Sequence, residues 1–263
     1  MSQHRICLVR VLVDGNPRWG TVKNGQVVEL DGTPFTETDW MCGVELGPID
    51  DVQLLAPAIP TKIVCVGLNY PTHADESSMD LPTEPLLFLK PPSSVIRPGA
   101  PILLPPQSER VDYEAELAVV IGRRCRNVAP QEAWGYVLGV TCGNDVTARD
   151  LQMRDNQWTR AKGFDTFCPL GPWLVTGLSE MDVANLEVTC RVNGELCQQE
   201  RTSEMTFSPP QLIAYIASIM TLEPGDVIMT GTPAGIGPLV AEDVVEVEIE
   251  GIGVLRNPVK ALG

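Results

Sequence analysis

The sequence predicts a mixed, mainly β protein with few helices, a roll or sandwich of mostly antiparallel strands preceded by a small β-rich unit. Three observations carry that reading. Short apolar runs outnumber segments of helical period, turn dipeptides separate them, and 23 glycines and 23 prolines punctuate the 263 residues. Strands that follow one another without regular intervening helices point to antiparallel layers and away from a parallel α/β sheet.

The elements follow in chain order. Residues 6–13, 18–23 and 26–30 are apolar runs split by Asp14-Gly15-Asn16 and Asn24-Gly25, residue types that tolerate the positive φ of hairpin turns. They make up the N-terminal β unit. The Pro-rich stretch from Leu55 to Pro60 marks its end, so residues 1–58 are assigned to a small N-terminal domain and 59–263 to the main domain. Further strands are predicted at 62–66, 86–89, 101–104, 116–121, 136–142, 172–176, 186–192, 227–230 and 244–249. Helices are predicted at 130–134, 146–155 and 208–220, the last opened by Pro209, Pro210 and Gln211.

A net charge of −15 and a pI near 4.5 argue against nucleic acid or an anionic membrane as partner, because both need clustered Lys and Arg. An anionic substrate would need a local cationic patch to overcome that field. No stretch reaches the roughly 18 apolar residues of a membrane span, and the start, Met1 to Arg5, lacks the apolar run of a signal peptide, so a cytoplasmic location is expected. The eight cysteines, at 7, 42, 65, 125, 142, 168, 190 and 197, form no C-x-x-C pair and read as buried reduced thiols.

Arg110 to Gly122 reads as one strand whose period of two places Asp112, Glu114 and Glu116 on one face and Tyr113, Ala115, Leu117 and Val119 on the other. Carboxylates that close repel one another, which a divalent cation would relieve; the same pattern also fits the solvated face of an edge strand. Asp145 follows the apolar run 136–142 and is either a third ligand at a strand end or a helix N-cap. Oxygen-only ligands suit the hard ions Mg2+ or Mn2+ better than zinc.

Two histidines exist, and His4 stands at the terminus, so a histidine base would be His73. One helical turn would set Glu76 beside its ring, fixing the tautomer, although an exposed loop histidine fits too. Lys162, in Ala161-Lys162-Gly163-Phe164, is either a desolvated lysine able to stabilise an oxyanion or a surface lysine paired with Asp165. Thr230 to Gly237 is a Gly-rich loop able to offer N–H groups to a carboxylate; without a Gly-Lys-Ser/Thr ending it is no P-loop, and a plain turn is the other reading.

In order and wording these segments resemble the fumarylacetoacetate hydrolase superfamily, particularly its short acylpyruvate hydrolases and oxaloacetate decarboxylases. The resemblance runs from about Lys62 to Asn257, through Val66-Gly67-Leu68-Asn69-Tyr70, Phe88-Leu89-Lys90-Pro91, Asp112 to Leu117, Asn144 to Gln152, Lys162 to Phe167 and Gly231 to Gly235. It implies a mixed β-sandwich roll, a homodimer, and a Mg2+ or Mn2+ ion on Glu114, Glu116 and Asp145. It further implies a His73–Glu76 dyad on a lid segment, a catalytic Lys162, and substrate contacts from Arg149, Gln152, Thr232 and Lys90.

The implied reaction is metal-dependent hydrolysis of a carbon–carbon bond in a small 2,4-dioxo acid of acylpyruvate or fumarylpyruvate type. His73 would activate water and Lys162 would steady the oxyanion. Oxaloacetate decarboxylation and 2-hydroxyhepta-2,4-diene-1,7-dioate isomerisation or tautomerisation are the alternatives, and a non-catalytic metal- or anion-binding relative is the minor one. Two departures stand out: Tyr70-Pro71-Thr72-His73 offers no fourth ligand carboxylate, and Thr72 replaces the Asp that precedes the histidine in many short relatives.

Overall fold

Asp14, Gly15, Asn24 and Gly25 all take positive φ, and they fold β1 (Ile6–Val13), β2 (Asn16–Lys23) and β3 (Gln26–Leu30) into the two hairpins that the turn dipeptides predict. The computed structural model describes residues 5–35 and 42–262; His4 and the Cys42 side chain lie outside the described part. β4 (Cys42–Pro48) and β5 (Gln53–Leu55) complete the N-terminal strands.

The chain then forms β6 (Ile63–Gly67), α1 (Pro71–Glu76), β7 (Leu86–Lys90), β8 (Val95–Ile96), β9 (Ile102–Leu104), β10 (Val111–Tyr113) and β11 (Ala115–Ile121). Next come α2 (Pro130–Ala133), β12 (Val137–Asn144), β13 (Thr147–Ala148), α3 (Arg149–Arg154), α4 (Thr159–Lys162), β14 (Cys168–Thr176) and α5 (Glu180–Val183). The last part holds β15 (Glu187–Val192), β16 (Glu195–Arg201), α6 (Pro209–Ile219), β17 (Val227–Met229), β18 (Gly237–Pro238), β19 (Val244–Ile249) and β20 (Gly253–Ala261).

A 12-stranded sheet runs in the order β4-β3-β2-β1-β14-β12-β11-β17-β6-β7, with β5 on β1 and β8 on β14. The N-terminal strands therefore extend the main sheet through the β1–β14 pair. A five-stranded sheet, β16-β15-β19-β20-β9, packs over it, and β13-β10-β18 form a small third sheet. Pairing is antiparallel except for β6–β17, β8–β14 and β9–β20. This is the mainly β, mixed sandwich roll that the sequence predicts.

β11 shows how the layers are held. Ala115, Leu117, Val119 and Ile121 share a core with Val188, Val247 and Leu255 of the second sheet, while Ala118 and Val120 pack with Cys65, Leu170 and Met229 on the opposite side. Each fully buried Leu, Val or Ile here contributes about 1.5–3 kcal/mol. Lying between β12 and β17 with both faces covered, β11 is not a solvated edge. The seven cysteines whose side chains are described are all free, and five of them are buried.

Two local expectations are corrected. The single strand expected over 110–122 is two strands in two sheets. The ladder stops at Glu114, whose N–H goes to the Asn144 side chain at 2.9 Å, while Val111 and Asp112 pair with Ala148 and Thr147. That pairing also shortens the helix expected at 146–155, which begins only at Arg149. At α6 the capping box closes with Gln211 accepting from the Ser208 N–H at 2.8 Å. Among the described residues no helix is long and apolar enough to cross a membrane.

Candidate active site

The break at Glu114 brings three distant carboxylates together. β11 and β12 are antiparallel neighbours with Ala115 opposite Asn144, so Glu114 and Glu116 flank the point where β12 ends and Asp145 begins. One oxygen from each of Glu114, Glu116 and Asp145 lies within 4.8 Å of the others, and all three residues are buried. Asp145 is no helix cap, since Ala148 occupies that position for α3.

Cations surround the cluster unevenly. Lys162, the last residue of α4, is 2% exposed and donates to Glu114 Oε2 at 2.8 Å and Asp145 Oδ2 at 2.7 Å. Lys90 donates to the other Asp145 oxygen and to the Val146 carbonyl. Arg149 donates to Glu114, to Gln152 and to Asp112 Oδ2. Glu116 has no cation of its own among the described residues; its hydrogen bond comes from the Gly231 N–H at 2.8 Å. Gly231 has φ +98°, and a Cβ there would lie 2.7 Å from the Asn69 Cβ, so only glycine aims that N–H comfortably.

The electrostatics follow from this asymmetry. Burial would raise the Glu114 carboxyl, but the Lys162 ammonium and the Arg149 guanidinium hold it below the usual carboxylate range. Burial followed by the charges of Asp145 and Glu114 pushes Glu116 well above that range. Burial disfavours the Lys162 ammonium, yet Asp145 and Glu114 overcome this and raise its pKa. A buried carboxylate without a counter-charge, beside two more oxygen donors, fits a divalent cation in place of the missing charge. Ligand oxygens around one hard ion sit at about 2.0–2.6 Å from it and so up to about 5 Å from one another, a span that covers the separations in this cluster.

The cluster forms the floor of a cavity of about 510 Å³. Pro71 opens α1 and sets the helical turn that places His73 Nδ1 3.3 Å from Glu76 Oε2. Glu76 also accepts from the Gly235 N–H at 3.0 Å, and the Thr72 hydroxyl donates to Glu200 at 3.1 Å, pinning α1 to the Gly-rich loop and to β16. His73 is 6% exposed, not a loop histidine in solvent, and its Nε2 has no protein partner among the described residues.

Glu114, Glu116, Asp145, Lys162, His73, Glu76, Arg149, Gln152 and Thr232 all line this cavity. Lys90, expected among the substrate contacts, does not. It is 1% exposed and donates to Asp145 from the end of β7, an edge strand that buries only this last side chain. Sequence reasoning also passed over Arg110, Phe88, Trp158 and Gln198. Phe88 stacks edge-on with Trp158 at 5.3 Å and lies under Lys162 at 4.9 Å. Gln198 donates to the Thr232 hydroxyl at 2.9 Å and accepts from the Ala115 N–H at 3.0 Å, fixing the loop to β11. Phe88 belongs to the motif Phe88-Leu89-Lys90-Pro91, but nothing local to Gln198 signals its role.

Comparison with known proteins bears on this geometry. Residues 62–260 match the model for the fumarylacetoacetate (FAA) hydrolase C-terminal family, and residues 8–57 match the Rv2993c-like N-terminal family. Human oxaloacetate tautomerase FAHD2A, mitochondrial, is 47% identical over 222 residues, which span 81% of this chain and 71% of that one. The 2-hydroxyhepta-2,4-diene-1,7-dioate isomerase of Mycobacterium marinum superposes with a TM-score of 0.89 at 42% identity, covering 98% of this chain and 99% of that one. The 5-carboxymethyl-2-hydroxymuconate delta-isomerase of Mycobacterium smegmatis gives 0.89 at 41% identity, with 97% and 100% covered. A family match over most of the chain, joined to near full-length likeness with these isomerases, makes this chain an enzyme of the fumarylacetoacetate hydrolase family.

Proposed function

We propose that the chain is a divalent-metal-dependent enzyme that moves a proton within a small 2-oxo acid, between enol and keto forms or between double-bond isomers. Glu114, Glu116 and Asp145 would hold Mg2+ or Mn2+. The observation that carries the reading is a buried three-carboxylate floor in the same cavity as a histidine with an unengaged Nε2. The names of the relatives, a tautomerase and two isomerases, favour proton transfer over bond cleavage.

Local charge supports an anionic substrate despite the net −15 of the chain. Around the cavity floor, Lys90, Arg110, Arg149 and Lys162 stand against Glu76, Asp112, Glu114, Glu116 and Asp145, so a divalent ion turns the balance positive. Such an ion supplies Lewis-acid polarisation of the 2-oxo group.

The protein groups do the rest. With Nδ1–H held by Glu76, the free Nε2 of His73 would take a proton from C3 of the keto acid and deliver it to the 2-oxygen to give the enol, or to a further carbon of a conjugated substrate to shift its double bond, the reverse reaction running the same steps backward. Lys162 uses two of its N–H groups on Glu114 and Asp145, leaving the third to donate to the 2-oxygen as it gains charge. Phe88 and Trp158 form a wall that limits water; at Gly67 a Cβ would come within 2.8 Å of the Trp158 ring, so glycine lets that wall close.

Hydrolysis of a carbon–carbon bond in a 2,4-dioxo acid is the second reading, favoured by the same His73–Glu76 pair, which could equally deprotonate a water. A panel of enolic oxaloacetate, hydroxy-diene diacids, acylpyruvates and fumarylpyruvate, followed by absorbance with and without EDTA, separates the two. The expected result is EDTA-sensitive tautomerisation or isomerisation as the fastest reaction. Cleavage as the fastest reaction reverses the order of the readings, and activity indifferent to EDTA removes the metal. Inactivity across the panel makes the chain a binding relative.

A further inference from the structure

Three of the four cations around the cavity floor are paired with the carboxylate cluster itself. Lys90 lies behind Asp145, Lys162 bridges Glu114 and Asp145, and Arg149 spreads its three nitrogens over Asp112, Gln152 and Glu114. Arg110 differs. Its side chain is 50% exposed and lines the cavity. Its Nε donates to Asp112 Oδ1 at 2.9 Å and its Nη2 to Asp112 Oδ2 at 3.1 Å. Two of the roughly five N–H groups that a guanidinium carries are thereby used, and the others have no acceptor among the described residues.

Asp112 is shared, and Glu76 is a second negative charge near Arg110. The Asp112 carboxylate also accepts from Arg149 at 2.8 Å, so its one negative charge serves two guanidinium groups. The forked contact fixes the plane of the Arg110 head without consuming its remaining donors. The chain of contacts Glu114, Arg149, Asp112, Arg110 leads from the buried floor to the half-exposed wall, placing Arg110 three ion pairs from the carboxylate cluster. A small acid anchored on the floor by its first two carbons would extend its far end toward these unused N–H donors at the cavity wall.

We propose that Arg110 is a specificity-determining residue that reads a second carboxylate at the distal end of the substrate, making the site selective for 2-oxo diacids over 2-oxo monoacids. The assignment rests on the reading that the floor binds the 2-oxo acid end. A carboxylate that meets a prepositioned guanidinium gains a charge-assisted hydrogen bond; a terminal methyl group gains nothing and leaves the arginine in water.

The test uses the full-length chain loaded with Mg2+ and two probes of equal length, 2-oxoglutarate and 2-oxovalerate, which differ only in the terminal carboxylate. Calorimetric titration of the unaltered protein is expected to show tighter binding of the diacid. Arg110→Gln should weaken the diacid about 10- to 100-fold and change the monoacid by less than about two-fold, with Arg110→Lys in between. An unchanged ratio of the two affinities in Arg110→Gln overturns the proposal, whether both fall, as for a mere brace on Asp112, or neither does. Glu116→Gln serves as the separate control on the floor. Loss of both probes in it supports the anchoring on which the proposal rests, whereas binding that survives it refutes that anchoring independently of the Arg110 ratio.

Discussion

Replacing Glu116 by glutamine is expected to stabilise the metal-free protein and to abolish its response to metal. Glu116 is a buried carboxylate with one N–H partner and two carboxylate neighbours within 4.8 Å. At an effective dielectric constant of about 20, two unit charges at roughly that separation repel by about 3.5 kcal/mol. Lys162 sits against both neighbours and offsets much of this, leaving a penalty on the order of 2 kcal/mol.

Burial and the charges of Asp145 and Glu114 raise the folded-state pKa of Glu116 above its unfolded value. Its contribution to stability is therefore fully present below the unfolded pKa and is lost as pH rises through the folded one. Glutamine keeps the shape and an acceptor for Gly231 while removing the charge, so the melting temperature in EDTA should rise by about 2–4 °C per kcal/mol gained. The gain should widen as pH increases. Metal reverses the ranking, because an ion at about 100 times its Kd adds about 2.7 kcal/mol to the unaltered protein and almost nothing to the variant. Scanning calorimetry in EDTA and in Mn2+, at about pH 6 and about pH 8, reads every state. A variant that melts below the unaltered protein in EDTA, or that keeps the metal-induced shift, refutes the reasoning.

Three further outcomes are expected. His73→Ala should lower turnover by about 10²- to 10⁴-fold while calorimetric metal affinity stays the same; unchanged turnover removes the histidine from the mechanism. Lys162→Met strands two buried carboxylates and should cost about 3–5 kcal/mol in denaturant unfolding without metal, and less with it; an equal cost in both conditions argues against a shared charge balance. Gly231→Ala forces a side chain at φ +98° against Asn69. It should cost about 1–3 kcal/mol and also weaken metal binding, since the N–H on Glu116 is re-aimed; a stability loss with unaltered metal affinity breaks that link.

The parts of the site legible in the sequence were those that a local period encodes. Glu114 and Glu116 stand two apart on extended chain, and His73 and Glu76 stand one helical turn apart behind a proline, so geometry follows from spacing. Asp145 and Lys162 each had a bland reading that local pattern could not remove; the fold removes both by giving the cap of α3 to Ala148 and burying Lys162 against Glu114 and Asp145. What stayed hidden depends on partners far along the chain. The break at Glu114 is dictated by Asn144, Thr147 and Ala148. Lys90 turns away from the cavity because Asp145, 55 positions later, draws it inward. Arg110 read as the flank of a strand, and only the fold shows its unused donors on the cavity wall.

Anomalous diffraction from a crystal soaked in Mn2+ puts the central claim to its most direct test. The expected result is one strong peak about 2.0–2.6 Å from an oxygen of each of Glu114, Glu116 and Asp145. No peak at that cluster, or a peak elsewhere in crystals whose dissolved protein is fully active, contradicts it.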